Sequence, residues 1–489
     1  MLRGENFHSR GFISSTGKHS FSEEFRKFAT AFSLHWPLIL SIGFFFGWLL
    51  SFPMQGPLFW VMVQGGDVNQ VLLTTMLLSG LILGLVSVGL AGYFLRQSLV
   101  WFSLGAIPCI AISCLISGVA EDSWWLIFFI LGICSGAVII SWANVFASTV
   151  SPSQRGRTFV LGAVLSNLVL YLVTILIYNQ AGFNLLLKAS SILSLSMPVF
   201  LIYRYRRMVI NNRFASDKII RTLQVKSRGT WKFIFFVFTI YAVGGLMYAV
   251  VGSLSSPSTG FSSYYGLIPY ILFLFLAGIL ADDISRRSNA IIGAISVGIG
   301  FMAVGLFTGS LQLVVIQTFL VGGYAFLDAF TWIIAADASG GRKIPLFYGA
   351  VLGTNILAIL AGVLLCERIA ELAANSEILT ISLAGILAFV SLAFIIRLKE
   401  SRNYEVPTVN NLISDSLEPI ISKFGLTPRE SEVVKLLVAG AGTQDMLEKL
   451  VIAPDTLKSH LRSIYHKAGV RNRLELIMAV MNDCNRPDK

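Results

Sequence analysis

Charge is scarce in this chain. Only 13% of its 489 residues are Asp, Glu, Lys or Arg, 55% are hydrophobic, and the mean hydropathy is +0.74. A soluble globular domain carries about twice that charged fraction, so most of the chain is expected to dissolve in lipid. Acids are scarcer than bases, 26 against 37, which leaves a net charge of +11. Much of that excess lies in short loops between apolar runs, where membrane topology explains it better than nucleic acid does. Cysteine is nearly absent: Cys109 and Cys114 share one apolar segment, Cys134, Cys366 and Cys484 stand apart, and no spacing suggests zinc or a disulfide framework. No nucleophile and base pair, metal cluster or phosphate loop stands out, so neither an enzyme nor a cofactor is expected. The polar start, Met1 to Ser33, sits too far ahead of an apolar run to read as a cleavable signal peptide.

What the chain has instead is a series of apolar runs. Runs long enough to cross a ~30 Å hydrocarbon core begin near Leu34, Val71, Leu99, Trp124, Thr158, Phe183, Trp231, Ser263, Asn289, Leu311, Pro345 and Ile378, about twelve spans in all. The loops alternate in charge. With the N-terminus counted as inside, the inside segments hold Arg26 and Lys27, Arg96, Arg155 and Arg157, the stretch Arg204 to Lys232, Arg286 and Arg287, Arg342 and Lys343, and Arg397 and Lys399. The opposite loops hold Asp67, Glu121 and Asp122, and finally Glu367, Arg368, Glu371 and Glu377. By the positive-inside rule both termini are cytoplasmic, in a bacterial inner membrane. Before the first run Phe21, Phe25, Phe28 and Phe32 recur at helical spacing, which suits either a helix in the membrane interface or one continuing into the first span. The basic stretch Arg204 to Lys232 divides the spans six and six, as a topological anchor or a site for anionic lipid heads.

The two halves resemble each other. Arg155-Gly-Arg157, Gly162-Ala-Val-Leu165 and Asn167 recur as Arg342-Lys343, Gly349-Ala-Val-Leu352 and Asn355. Parallel six-span repeats point to a major facilitator superfamily fold, and Gly278-Ile-Leu-Ala-Asp282-Asp-Ile-Ser-Arg286-Arg287 resembles that superfamily's loop signature, with Ser285 where a Gly is usual. In the first half the matching loop, Ala91-Gly-Tyr-Phe-Leu95-Arg96, lacks the Asp. The resemblance implies a gating role for the motif, and a cavity lined by the first, fourth, seventh and tenth spans. Those spans would bring Trp48, Trp142, Asn144, Tyr241, Tyr248, Asp328 and Trp332 inward. Intramembrane charge is costly and marks function by default, and Asp328 in the tenth span and Lys188 in the sixth are the few instances. Trp142, Asn144, Tyr241, Asp328 and Trp332 are the candidate ligand residues, for a small, mostly apolar or aromatic molecule; the aromatic ones also suit plain packing.

After Lys399 a polar stretch to about Ser416, reaching roughly 20–25 Å if flexible, leads to amphipathic helices. Thr427-Pro428-Arg429-Glu430 is a capping box with Pro at the first helical position. The helix it opens is expected to run through Val438 and stop at Gly440 and Gly442. A second should cover Gln444 to Leu450, a third Asp455 to Lys467, and a fourth should follow Asn472-Arg-Leu-Glu475. On the third, Leu457, Leu461, Ile464 and Ala468 make an apolar face. The other side offers Lys458, Ser459, Arg462, Ser463, His466 and Lys467, with Arg471 and Arg473 beyond. Leu426-Thr-Pro-Arg-Glu430, Thr456-Leu-Lys458-x-His460, Ile464-Tyr-x-Lys467 and Gly469-Val-Arg-Asn-Arg473 together resemble the LuxR family of helix-turn-helix regulators. The resemblance implies Lys458, Ser459 and Arg462 at base-reading positions, Thr456, Ser463, His466, Lys467, Arg471 and Arg473 around them, and pairing through the fourth helix. Leu447, Ala453 and Leu457 depart from the family's usual residues, and no receiver domain precedes the module.

The expected architecture is therefore all-α: a polytopic transmembrane bundle of about twelve spans in two six-span halves, then a small four-helix LuxR-type helix-turn-helix domain. The divisions fall at 1–33, 34–204, 205–230, 231–398, 399–422 and 423–486. The expected function is a membrane-embedded one-component transcription regulator whose bundle senses a small molecule and whose C-terminal domain binds operator DNA as a homodimer. The alternatives are a solute transporter with a regulatory C-terminal domain, and a C-terminal module that docks protein.

Overall fold

The computed structural model describes residues 21–64, 68–94, 99–179, 182–211, 230–254, 265–306, 309–339, 343–372, 376–397, 422–438, 446–447, 450, 452–470 and 476, and among them all regular structure is helical. The chain divides into two compact units, residues 1–399 and 400–489.

The first unit contains α1 (Phe21–Ser51), α2 (Gln70–Phe94), α3 (Ala106–Leu115), α4 (Trp124–Thr149), α5 (Arg155–Tyr178), α6 (Phe183–Asn211), α7 (Thr230–Leu254), α8 (Leu267–Ile279), α9 (Arg286–Leu306), α10 (Gly309–Ala338), α11 (Ile344–Leu372) and α12 (Ser376–Arg397). A short helix, Pro57–Val63, follows α1, and tighter turns flank α3. Each helix begins within a few residues of an expected apolar run except α3, where a tighter helix occupies Leu99–Gly105 first, and α1, which starts earlier and absorbs the Phe-rich stretch. That stretch joins the first span through a kink, where His35 leaves helical geometry (φ −123°, ψ 16°) two residues before Pro37; a proline inside a helix removes a donor and crowds the preceding turn. By length and composition eight described helices could cross a membrane, and three shorter apolar ones accompany them. Many large apolar side chains, including Leu83, Leu172, Leu193, Leu272 and Phe389, lie exposed on the bundle's outside. A surface of that kind suits lipid, and the chain is a multi-pass membrane protein. Most of the basic stretch between the halves, and the side chain of Tyr248, lie outside the described residues.

The helix pairing repeats between halves. In the first half α5 packs on α1, and across the midline on α8; in the second, α11 packs on α7, and across the midline on α2. Lipid removes most of the hydrophobic drive for helices to associate, so close backbone approach and interhelical hydrogen bonds take over. At the α2–α11 crossing a Cβ on Gly89 would stand 2.8 Å from Pro345 O, and one on Gly349 2.6 Å from Leu85 O, so only glycine fits. Trp48 Nε1 donates to Ser191 Oγ at 3.0 Å, Trp142 Nε1 to Leu38 O at 2.9 Å, Tyr324 Oη to Ile240 O at 2.9 Å and Tyr348 Oη to Trp332 O at 2.8 Å. Such tethers contribute about 0.5–2 kcal/mol each.

The second unit has its own core of Val433, Val434, Leu437, Met446, Leu457, Ile464 and Leu476. Its longer elements among the described residues are α13 (Pro428–Val438) and α14 (Pro454–Ala468). The capping box forms: Glu430 N donates to Thr427 Oγ1 at 3.3 Å and Thr427 N to Glu430 Oε2 at 2.8 Å. Ala453 caps α14 with no side-chain bond, with Pro454 at the first position. At the far end Gly469 turns left-handed (φ 68°), its N–H bonding His466 O while that of Val470 bonds Tyr465 O, a Schellman stop. Leu447 is partly buried against the core, so the second helix accepts the larger side chain. The stop at Gly440 and Gly442, most of the second helix and the fourth helix lie outside the described residues.

Candidate functional site

Where the two halves of the bundle meet at α5 and α8, buried charge gathers. After α8 the chain makes one wide turn, Leu280–Ile284, which carries Asp282 and Asp283. Wide turns of this kind re-aim side chains and recur at functional places. Asp282 accepts from the backbone N–H groups of Gly156 (2.8 Å) and Arg157 (2.9 Å), two of the donors that the start of α5 leaves unpaired. The Arg157 guanidinium reaches Asp283 at 2.5 Å, Glu24 at 2.8 Å and Asp282 at 3.5 Å, and lies over the Phe28 ring. Arg155 Nη1 lies 2.5 Å from Asp337 Oδ1, and Arg286 holds the other Asp337 oxygen while also donating to Ala281 O and Pro152 O. The side chains of Asp282 and Arg157 are 0% and 5% exposed, so neither is hydrated appreciably and each depends on the other's neighbourhood.

Between the halves lies a cavity of about 950 Å³. Its walls are largely apolar, from Ile42, Phe46, Leu81, Phe159, Ile356 and their neighbours. Asp328 is the sole charged side chain among the described residues lining it. Tyr241 Oη donates to one of its oxygens and Tyr270 Oη to the other, each at 2.7 Å. Trp332, one turn on, meets Phe46 edge-on at 5.9 Å and stacks on Phe159 at 5.5 Å. Asn167, Gln317 and Asn355 add amide groups.

Of the five residues expected to bind a ligand, Tyr241, Asp328 and Trp332 border this cavity, and Trp142 and Asn144 do not. Trp142 is turned away: its indole N–H is spent on Leu38 O and its ring stacks on Phe146 at 4.8 Å. Trp48 is likewise fully buried and tethered to Ser191. Lys188 is exposed on α6 and does not line the cavity. Tyr270 joins the site from α8, a helix that is not among the spans expected to line the cavity. The signal for Asn167 and Asn355 is present in the repeat, whose two copies face the same cavity.

In the second unit α14 presents Thr456, Lys458, Ser459, Arg462 and His466 to solvent. Lys458 lies 3.5 Å from Asp455, both side chains well exposed, a contact of little energetic weight. Ser463 and Lys467 are otherwise engaged: Ser463 Oγ donates to Glu430 Oε1 and Lys467 Nζ to Glu430 Oε2, both at 2.6 Å. Burial alone would raise the Glu430 carboxyl, but Lys467, Ser463 and Thr427 outweigh it and hold it at about 2. Lys467 is thus exposed on α14 and at the same time paired with Glu430 within the domain. Arg471 and Arg473 lie outside the described residues.

Comparison with known proteins separates the two units. Residues 425–480 match the bacterial regulatory proteins of the luxR family. Over 57 residues the chain is 35% identical to the HTH-type transcriptional regulator MalT of Vibrio campbellii, covering 12% of this chain and 6% of that protein. Over 52 residues it is 36% identical to a protein of Mycobacterium bovis named as an HTH-type transcriptional regulator, covering 11% and 6%. The chain thus spans about 6% of the length of the curated relatives it matches. Over 78% of this chain and 96% of that one, the fold is similar to XylE, a major facilitator superfamily proton:xylose symporter, with a TM-score of 0.56 at 13% identity. It is similar also to FucP, a major facilitator superfamily transporter in the outward conformation, with a TM-score of 0.54 at 11% identity over 77% and 100%. The membrane unit has the major facilitator fold, and the C-terminal unit carries a LuxR-type helix-turn-helix.

Proposed function

We propose that this protein is a membrane-embedded, one-component transcription regulator: the bundle senses a small molecule in its central cavity, and the C-terminal domain binds operator DNA as a dimer. The observation that carries the reading is the solvent-facing row Thr456, Lys458, Ser459, Arg462 and His466 on α14 of a LuxR-type domain, in one chain with a cavity-bearing bundle. Lys458 and Arg462 stand one turn apart on this face, and each is of a type that donates to guanine O6 and N7 in a major groove. Arg471 and Arg473 are proposed phosphate contacts. Two domains pairing through the fourth helix would address half-sites about 34 Å apart. The loop charges support both termini in the cytoplasm of a bacterial inner membrane. A ligand acts on such a protein only through unequal affinity for two bundle states.

The test is to titrate the full chain, in lipid nanodiscs, against DNA fragments flanking its own gene at two salt concentrations. Sequence-selective binding that Lys458→Ala and Arg462→Ala each weaken by about tenfold supports the reading. Equal binding to every fragment that vanishes with salt overturns it. The likeness of fold to symporters favours one other reading, a transporter with a regulatory C-terminal domain. That reading requires uptake of a labelled solute into proteoliposomes that Asp328→Asn abolishes.

A further inference from the structure

Among the described residues, Asp328 meets hydroxyl donors and no counter-charge. A carboxylate only accepts hydrogen bonds, and Tyr241 and Tyr270 give a hydroxyl to each of its oxygens at 2.7 Å, an arrangement that suits the ionised group. Two phenols satisfy the oxygens without neutralising them. Among the described residues lining the cavity there is no Lys, Arg or His. Arg155 and Arg286 are committed to Asp337. Asp337 is nine residues further along α10, roughly 13 Å along the axis at 1.5 Å per residue. An unpaired charge in an apolar enclosure is costly, and at this place the missing partner has room to arrive from outside.

The walls narrow the chemistry of that partner. Trp332 and Tyr324, on α10 with Asp328, border the cavity, and Phe46 on α1 also lines it and meets Trp332 edge-on. Aromatic faces attract cations, most strongly where water is excluded. The remaining lining is largely apolar, with Gln55, Ser166, Asn167, Thr174, Gln317 and Asn355 as uncharged polar groups, and no described residue in it carries a positive charge to balance an anion. We infer that the cavity binds a monovalent, largely apolar organic cation, with Asp328 as its counter-charge, Tyr241 and Tyr270 holding that carboxylate in place, and the aromatic walls around the apolar body. The inference rests on the sensing role proposed above and names its ligand class.

Tetraphenylphosphonium and tetraphenylborate share one shape and differ in sign, so they test the charge alone. With the full chain in nanodiscs, equilibrium dialysis should show saturable binding of the phosphonium and none of the borate. Asp328→Asn should weaken phosphonium binding by about tenfold or more, and Tyr270→Phe by about threefold, each being one lost charge-assisted contact. Thermal melting of each variant confirms that it folds. Equal phosphonium binding by folded wild type and folded Asp328→Asn, saturable binding of the borate, or no saturable binding of the phosphonium overturns the inference. These arms contain no DNA, so they stand or fall separately from operator selection. If phosphonium binding holds while it leaves DNA affinity unchanged, the cation site stands and the sensing role falls.

Discussion

The two midline seams of the bundle are related by the internal repeat and are built from opposite materials. At α5–α8 the helices are joined through Asp282 and Arg157, both buried, with Asp283 and Glu24 at their partly solvated edge. At α2–α11 bare backbones meet at Gly89 and Gly349, with no room for a side chain. The difference shows two answers to one difficulty: in lipid, apolar side chains gain little by leaving the solvent, so a seam needs either contact closer than side chains allow or polar partners too costly to separate. The ionic seam is directional and depends on a handful of atoms. The glycine seam spreads its contact along the helices. Any motion between the halves should therefore be decided at α5–α8 and tolerated at α2–α11.

The sharpest way to break this comparison is Asp282→Ala, which strands two backbone donors and removes an anion from between Arg157 and Arg286. The expected loss is about 3–5 kcal/mol, read as a fall in the melting temperature of the protein in nanodiscs. Gly349→Leu attacks the other seam. The new side chain meets Leu85 O and pushes the helices apart, at an expected cost of about 1–3 kcal/mol by the same measurement; a loss larger than that of Asp282→Ala would reverse the ranking of the seams. Glu24→Gln tests how far the ionic seam extends, since Glu24 holds Arg157 from the first turn of α1 and is partly solvated. Its removal should cost about 1 kcal/mol or less, with a matching small rise in spin-label distance between α5 and α8.

The C-terminal domain offers a further test, because Glu430 repeats the logic of Asp282 outside the bundle: one carboxylate binds a helix start and reaches a cation on another helix. Its pKa is held at about 2, below the ordinary 4.5. Its contribution to stability is therefore complete above about pH 4.5 and is lost as pH falls through about 2. Denaturant unfolding of the domain should show this acid-side decline, and Glu430→Gln should flatten it while lowering stability at neutral pH.

Features set by neighbours in the chain are legible in the order of residues. The capping box at Thr427 and Glu430 is a four-residue pattern, and the starts of the apolar runs locate the helices of the bundle because lipid demands unbroken hydropathy. Partners set by helix rotation are hidden. Each residue turns a helix by about 100°, so nothing along the chain says that Trp142 gives its N–H to Leu38 O while Tyr270 turns to Asp328. Asp282 stands out within its motif, yet its partners at Gly156 and Arg157 lie more than a hundred residues away in the chain. Glu430 is visible as a cap, and its second hold on Ser463 and Lys467 is not, because that depends on how α13 crosses α14.

Trp332 shares edges or faces with Phe46, Trp142, Phe159 and Tyr348, side chains from four other helices, and its own flank borders the cavity. An indole so placed is an optical gauge already installed in the protein. Its emission responds to whatever occupies the space beside Asp328 and to any shift of α1, α4, α5 or α11 against α10. The emission that Trp332→Phe removes is the part that reports on this crossroads, so occupancy and helix rearrangement can be followed in real time with no label attached.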